Sequence, residues 1–332
     1  MRHEALSVGH LTVDRISGSG APTDLGKGQK WYMDGSNGSN GNSGLSPNTP
    51  LATIAAAESA MTGGQNDTLI FLPGTETITS LVTWNLSNTH LVGSHSATPW
   101  SNNCLIQHTA TATLSPCILN SGSDNLFSNM HFKFGSVGGA NHLGLRNTGS
   151  GNHYENCWFE GPTDATQGTD AAYKTVEVDG GGNYFKNCIF GTTAHGTMTY
   201  AAQLGFNGSA YRSTFEDCMF YMRTIATTGV FINIAGGDIS GVQFFKNCFF
   251  VNDWTNQADM CSYLIRAEGD NESALVQGLL VFDTRCFTIG FEAMVYGAPN
   301  QKAVFFAHPL TAAHQGGNAG LIEPVSGTFW GV

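Results

Sequence analysis

Four cysteines recur at nearly one spacing, each inside the same six-residue motif, and that repeat limits what the chain can fold into. The copies are Tyr154-Glu155-Asn156-Cys157-Trp158-Phe159, Phe185-Lys186-Asn187-Cys188-Ile189-Phe190, Phe215-Glu216-Asp217-Cys218-Met219-Phe220 and Phe245-Lys246-Asn247-Cys248-Phe249-Phe250. Successive cysteines lie 31, 30 and 30 residues apart. A degenerate earlier copy, Phe127-Ser128-Asn129-Met130-His131-Phe132, places Met130 in the cysteine position, and a weaker later one runs from Phe282 to Phe287. Self-similarity at a fixed period of this length marks stacked structural units.

Within each copy the first aromatic and the Asn or Asp are two residues apart, so they share one face of an extended segment. The cysteine and the second aromatic share the opposite parity. A bend between Asn187 and Cys188, and at the matching bonds elsewhere, turns both pairs inward. Asn and Asp suit that bend because they tolerate left-handed backbone angles and hydrogen-bond locally. The pattern predicts an interior stack of Asn156, Asn187, Asp217 and Asn247, of Cys157, Cys188, Cys218 and Cys248, and of Phe159, Phe190, Phe220 and Phe250. Gly-rich corners (Gly149-Ser150-Gly151, Gly180-Gly181-Gly182) precede several copies, and short apolar strands such as Thr175-Val176-Glu177-Val178 precede the corners. Strand, Gly corner, strand, Asn bend, strand predicts an all-β solenoid, a parallel β-helix. A propeller blade has an overlapping period, but it needs more hairpin turns than the chain supplies.

The repeat runs from about Leu69 to about Phe306 of 332 residues, which argues for one elongated domain. Basic residues number 14 against 25 acidic, a net charge of −11, with no basic cluster, which excludes a nucleic-acid partner. No apolar run approaches the roughly 18 residues that span a bilayer, and the N-terminus shows no apolar signal segment, so no membrane partner is expected. Four of the eight cysteines fall at repeat-equivalent inward positions. They read as free thiols acting as small hydrophobes, in a chain that folds in a reducing cytoplasm.

Residues 1–30 are polar, carry no repeat, and read as an extended arm for anchoring and assembly. Residues 31–306 read as the solenoid and 307–332 as a C-terminal capping or interface segment. One helix is expected over 50–61, capped by Thr49, with Pro50 in its first turn. The stretch Tyr32-Met33-Asp34-Gly35-Ser36-Asn37-Gly38, then Asn42-Ser43-Gly44-Leu45-Ser46-Pro47-Asn48-Thr49-Pro50-Leu51-Ala52-Thr53-Ile54, ends in Asp67-Thr68 and Pro73-Gly74-Thr75. It resembles the opening of pectate-lyase-like right-handed β-helix proteins, and closely those carried by tailed bacteriophages. The resemblance implies a right-handed solenoid over roughly residues 31–290, with the helix plugging its open end. It also implies service on a virion, as a tailspike or as a head decoration protein.

The residues themselves carry little recognisable chemistry. Arg146, Lys174, Arg212, Arg223 and Arg266 read as sharing no repeat position. Glu155, Lys186, Glu216 and Lys246 do share one and read as an exposed stripe of mutually screened charges. Asp164, Asp170 and Asp179 could form a carboxylate pair or a hard-cation site, though loop solvation accounts for them better. The Asp34–Gly44 loop misses the spacing of a calcium loop, and the histidines lack zinc-site pairing. No metal or cofactor is therefore expected. Trp100, Trp158, Trp254 and Trp330 are candidates for stacking on sugar rings. The resulting expectation is a non-enzymatic phage virion protein, a capsid decoration or cement protein on the head surface. It would form a homotrimer and bind the major capsid protein through its arm. The alternative is a tailspike that binds or cleaves host surface glycan.

Overall fold

A computed structural model describes residues 28–95, 103–108, 114–135, 143–163, 173–192, 202–222, 229–234, 241–252, 261–267, 278–282, 287–289, 291–296 and 304–306. The expected arm up to residue 27, the segment 307–332, and Trp100, Asp164, Asp170, Arg223, Trp254 and Trp330 lie outside them.

The chain winds into a right-handed solenoid of three parallel sheets. Sheet I has ten strands, from Lys30–Met33 to Val304–Phe306. Sheets II and III have eight each, beginning at Gly74–Ile78 and Val82–Trp84. One coil reads Tyr184–Lys186 in sheet I, Ile189–Gly191 in sheet II, then Ala202–Phe206 in sheet III. The expected arm ends short of residue 30, because Lys30 already pairs with Thr68 in sheet I.

Two corners set this path. Between sheets I and II the backbone takes left-handed angles at Asn129, Asn156, Asn187, Asp217 and Asn247, with φ between 50° and 56°. Asn and Asp accept that conformation more readily than other side-chain-bearing residues. Between sheets III and I the Gly-rich corners stack so closely that a Cβ on Gly180 would overlap the Gly149 carbonyl.

Every coil then aims its aromatics inward. Tyr154, Phe185, Phe215 and Phe245 stack along sheet I at centroid spacings of 4.6–4.8 Å. Phe159, Phe190, Phe220 and Phe250 do the same along sheet II at 4.6–5.3 Å. The four repeat cysteines are buried beside them and free. Each thiol donates to the carbonyl of an aromatic one coil back: Cys157 to Phe127, Cys188 to Tyr154, Cys218 to Phe185 and Cys248 to Phe215, all at 3.4 Å. Cys104, which also follows an Asn, donates to Phe71 O at 3.3 Å, so the column extends beyond the sequence motif. Burial holds the Cys188 and Cys218 thiols well above their ordinary range, which keeps them protonated and unreactive.

The Asn row does not belong to the interior, contrary to the sequence reading. Asn187 and Asp217 are exposed and Asn156 and Asn247 half-buried. A left-handed residue at a corner points its side chain along the outside of the bend, where it reaches the equivalent residue of the next coil. Asn156 Nδ2 donates to Asn129 Oδ1 (3.2 Å), Asn187 to Asn156 (2.6 Å) and Asn247 to Asp217 (2.6 Å). Asp217 has no amide to pass on to Asn187, so the ladder breaks there. Asp217→Asn should restore it and raise stability by about 0.5–1 kcal/mol. A lower melting temperature for that variant would show that the break costs nothing.

The helix begins later than expected, at Ile54–Ala60, and Thr53 is its N-cap, accepting from Ala56 N. Residues 50–52 are committed elsewhere. Leu51 bridges Met33 and donates to Tyr32 O, and Asn40 Oδ1 accepts from the Ala52 and Thr53 amides. Ile54 and Ala57 join the core next to the first strands of sheets I and III.

Candidate functional site

The outer faces of the three sheets differ in chemistry. On sheet I the stripe Glu155, Lys186, Glu216, Lys246 is in register across four strands. Only the Lys246–Glu216 pair is close enough for an ion pair, at 4.0 Å, and both side chains are substantially exposed. Glu155 is buried, contrary to the sequence reading, and burial raises its carboxyl; the rest of the stripe is a weakly coupled surface feature.

Sheet II presents an apolar row, Leu105, His131, Trp158, Ile189, Met219 and Phe249, one residue per coil. Phe249 is 40% exposed. Trp158 has one ring face covered by His131 at 4.2 Å, and its Nε1 donates to Gly191 O. His131 Nε2 lies 2.9 Å from Glu160 Oε2, and Lys133 Nζ 3.4 Å from Oε1. Burial alone would raise the Glu160 carboxyl. The His131 hydrogen bond and charge, joined by Lys133, hold it below the ordinary carboxylate value instead.

Sheet III carries the densest charge. Its register aligns Leu119, Arg146, Glu177, Gly205, Asn233 and Arg266 in one outward row. Arg146 and Arg266 therefore share a repeat position, contrary to the sequence reading, which loops of uneven length had hidden. Glu177 is 4% exposed. Its Oε1 is 3.2 Å from Arg146 Nε and its Oε2 3.4 Å from Lys174 Nζ. The Arg146 Nε contact is electrostatic and does not line up as a hydrogen bond. Arg146 also donates from its terminal nitrogen to Asp179 Oδ2 at 2.8 Å. Asp179 is thus an ion-pair partner on this face. Lys174 lies across Gly205, where any Cβ would overlap its Cδ. The glycine is what lets the lysine stem lie flat and its ammonium reach Glu177. Beside this cluster, Thr175 Oγ1 sits 2.8 Å from Gln203 Oε1, and both residues are buried.

The arrangement is a built one: two cations and two carboxylates clamped on a rigid sheet, with Arg146 the member most open to solvent, its side chain 35% exposed. Sequence reasoning grouped Asp179 with Asp164 and Asp170 instead and placed the other three in no site. The available signal was the buried-strand sequence Lys174-Thr175-Val176-Glu177-Val178, in which two charges sit inside an otherwise apolar run. Among the described residues, no group of three or more His, Cys, Asp or Glu could hold a metal ion. No helix among them is long and apolar enough to cross a membrane.

No protein-family model and no curated protein matches the chain. Solved structures do. Rhamnogalacturonan lyase superposes with a TM-score of 0.61 at 12% identity, over 84% of this chain and 73% of that one. Pectate lyase Pel9A gives 0.55 at 17% identity, over 86% and 76%. The pectin methyl esterase of the rice weevil gives 0.54 at 13% identity, over 81% and 87%. These findings correct the expectation of a non-enzymatic chain. Among the solved structures that share its fold are two lyases and an esterase, and two of the basic residues whose scatter argued against chemistry, Arg146 and Arg266, share one position in the sheet III register. At these identities the likeness is one of fold: the chain is a pectate-lyase-like right-handed parallel β-helix.

Proposed function

We propose that the protein is a tailspike-like component of a tailed-phage particle that binds and cleaves host surface polysaccharide on the outer face of sheet III. The observation that carries this reading is the clamped Arg146–Glu177–Lys174–Asp179 cluster on a fold shared with polysaccharide lyases. Glu177 holds Lys174 and Arg146 in fixed positions, so neither cation loses side-chain freedom when an acidic sugar arrives. Arg146 can offer its planar fork to a uronate carboxylate. Phage origin rests on the resemblance of residues 32–75. The sheet II row, with Phe249 exposed at its end, supports a protein partner, either sister subunits of a homotrimer or the major capsid protein.

The test is incubation of the purified chain with host capsular or lipopolysaccharide glycans, followed by chromatography of the products. Shortened chains are expected, and Arg146→Met should lower the cleavage rate by about tenfold or more while leaving the circular dichroism spectrum unchanged. If no host glycan is bound or shortened, and micrographs show hundreds of copies on the head, the protein is a decoration protein instead.

A further inference from the structure

A helix tied down by two carboxylates of unequal burial packs against the first coil of the solenoid. Lys30–Met33 is the outermost strand of sheet I, its outer edge already bonded to Gly44 and Leu51, and Val82–Trp84 is the outermost strand of sheet III, which would show an open edge without cover. The helix Ile54–Ala60 packs against both. Near its end, Glu58 Oε1 accepts from Asn85 N at 3.3 Å, an exposed contact just past the sheet III strand. At its start stands Glu76, on the first strand of sheet II and 5% exposed. Both Glu76 oxygens lie 3.1 Å from a single donor, the Ile54 amide.

One shared N–H is a poor supply for an ionised carboxylate, which can accept about four hydrogen bonds. Deprived of water and given one donor, the charged form is disfavoured. The titratable groups on the elements packed here are Lys30 and Tyr32 on the first strand of sheet I, Asp34 in the turn after it, Glu58 on the helix, and Cys104 and His108 on the next strand of sheet II. None of them sets the balance at Glu76. Burial pushes its carboxyl up to about 7, against a smaller lowering by the Ile54 amide.

We propose that Glu76 makes this helix a pH-gated cover for the N-terminal end of the solenoid, closed while Glu76 is protonated and loosened when it ionises. The closed state has the raised proton affinity. Its advantage is therefore fully present below the ordinary carboxyl value of 4.5 and is lost as pH rises through about 7. Loosening withdraws Ile54, Ala57 and Met61 from their places in the core. It bares the edge of Val82–Trp84, whose outward backbone groups can then pair with a strand of another chain. The glycan site on sheet III is not required for this device.

Hydrogen exchange of the full-length chain tests it, with rates corrected for intrinsic base catalysis. Between pH 5.5 and 8.5 the amides of residues 54–60 should lose protection by about tenfold or more, while those of Thr214–Glu216 in mid-solenoid stay unchanged. Glu76→Gln, neutral at both pH values, should keep the helix protected within about twofold. Should that variant fail to fold, Thr53→Ala serves instead: it weakens the helix at both pH values and should leave the tenfold pH step in place. The proposal is overturned by wild-type protection that ignores pH, by a step that survives in Glu76→Gln, or by an equal loss at Thr214–Glu216.

Discussion

Phe215→Ala is expected to lower the unfolding free energy by about 3–5 kcal/mol, the cost of a large cavity in a core that cannot collapse around it. The ring stacks 4.8 Å from both Phe185 and Phe245 and touches the edges of Phe190 and Phe206. Neither stacked neighbour can move in, because each is held at its own height by main-chain pairing, Phe185 and Phe245 both being in register with Phe215. Urea titration of wild type and variant measures the difference. Phe215→Leu, which keeps more of the volume, should cost less than half as much. A loss under about 1 kcal/mol for the alanine would mean that the coils can close up.

The second large effect belongs to Glu177. Replacing it by alanine removes the carboxylate that faces both Lys174 and Arg146, and Lys174 is itself only 8% exposed at its side chain. Breaking a buried ion pair by removing one member costs about 3–5 kcal/mol. Glu216→Ala is the matched control. It also sits opposite lysines in a neighbouring-coil register, but its side chain is 31% exposed, so its loss should cost about 0–1 kcal/mol. Thermal denaturation of the two variants side by side tests whether burial, rather than charge pairing as such, decides the cost. Similar losses for both would refute that.

The period was legible because everything that defines a coil on the sheet I–II side lies within six consecutive residues. Aromatic, Asx, Cys and aromatic sit at fixed offsets, and the left-handed corner at Asn187 follows from the residue type. What parity could not show is the direction of a side chain at the corner itself, since alternation of faces fails where the strand ends. Cys104 belongs to the same column but escaped the motif, because no aromatic stands two residues before Asn103. A second ladder also escaped. Asn125, Asn152 and Asn183, each two residues before a sheet I aromatic, are buried at the Gly corner, and Asn125 N and Asn152 N donate to the side-chain oxygen of the next Asn at 3.0 and 2.9 Å. Their repeat was visible but was masked by the Gly-Asn and Asp-Asn turns around them. The sheet III cluster was the least legible. Its members are brought together by registers that depend on connections of variable length from sheet II, so no fixed spacing links Arg146 to Glu177 and Arg266.

The alternating stripe on sheet I also bears on how such a chain can change length. Most features of a coil repeat with every turn, but charge repeats with every second one, since Glu155 and Glu216 flank Lys186 as Lys186 and Lys246 flank Glu216. Excising residues 187–216 would rejoin the Asx corner and the thiol column without a seam, yet it would set Lys186 directly beside Lys246. Duplicating one coil would likewise stack a charge on its own copy. Like charges directly opposite on adjacent strands repel. Gain or loss in pairs of coils avoids the clash, so the stripe acts as a parity check that favours growth of this solenoid by two turns at a time.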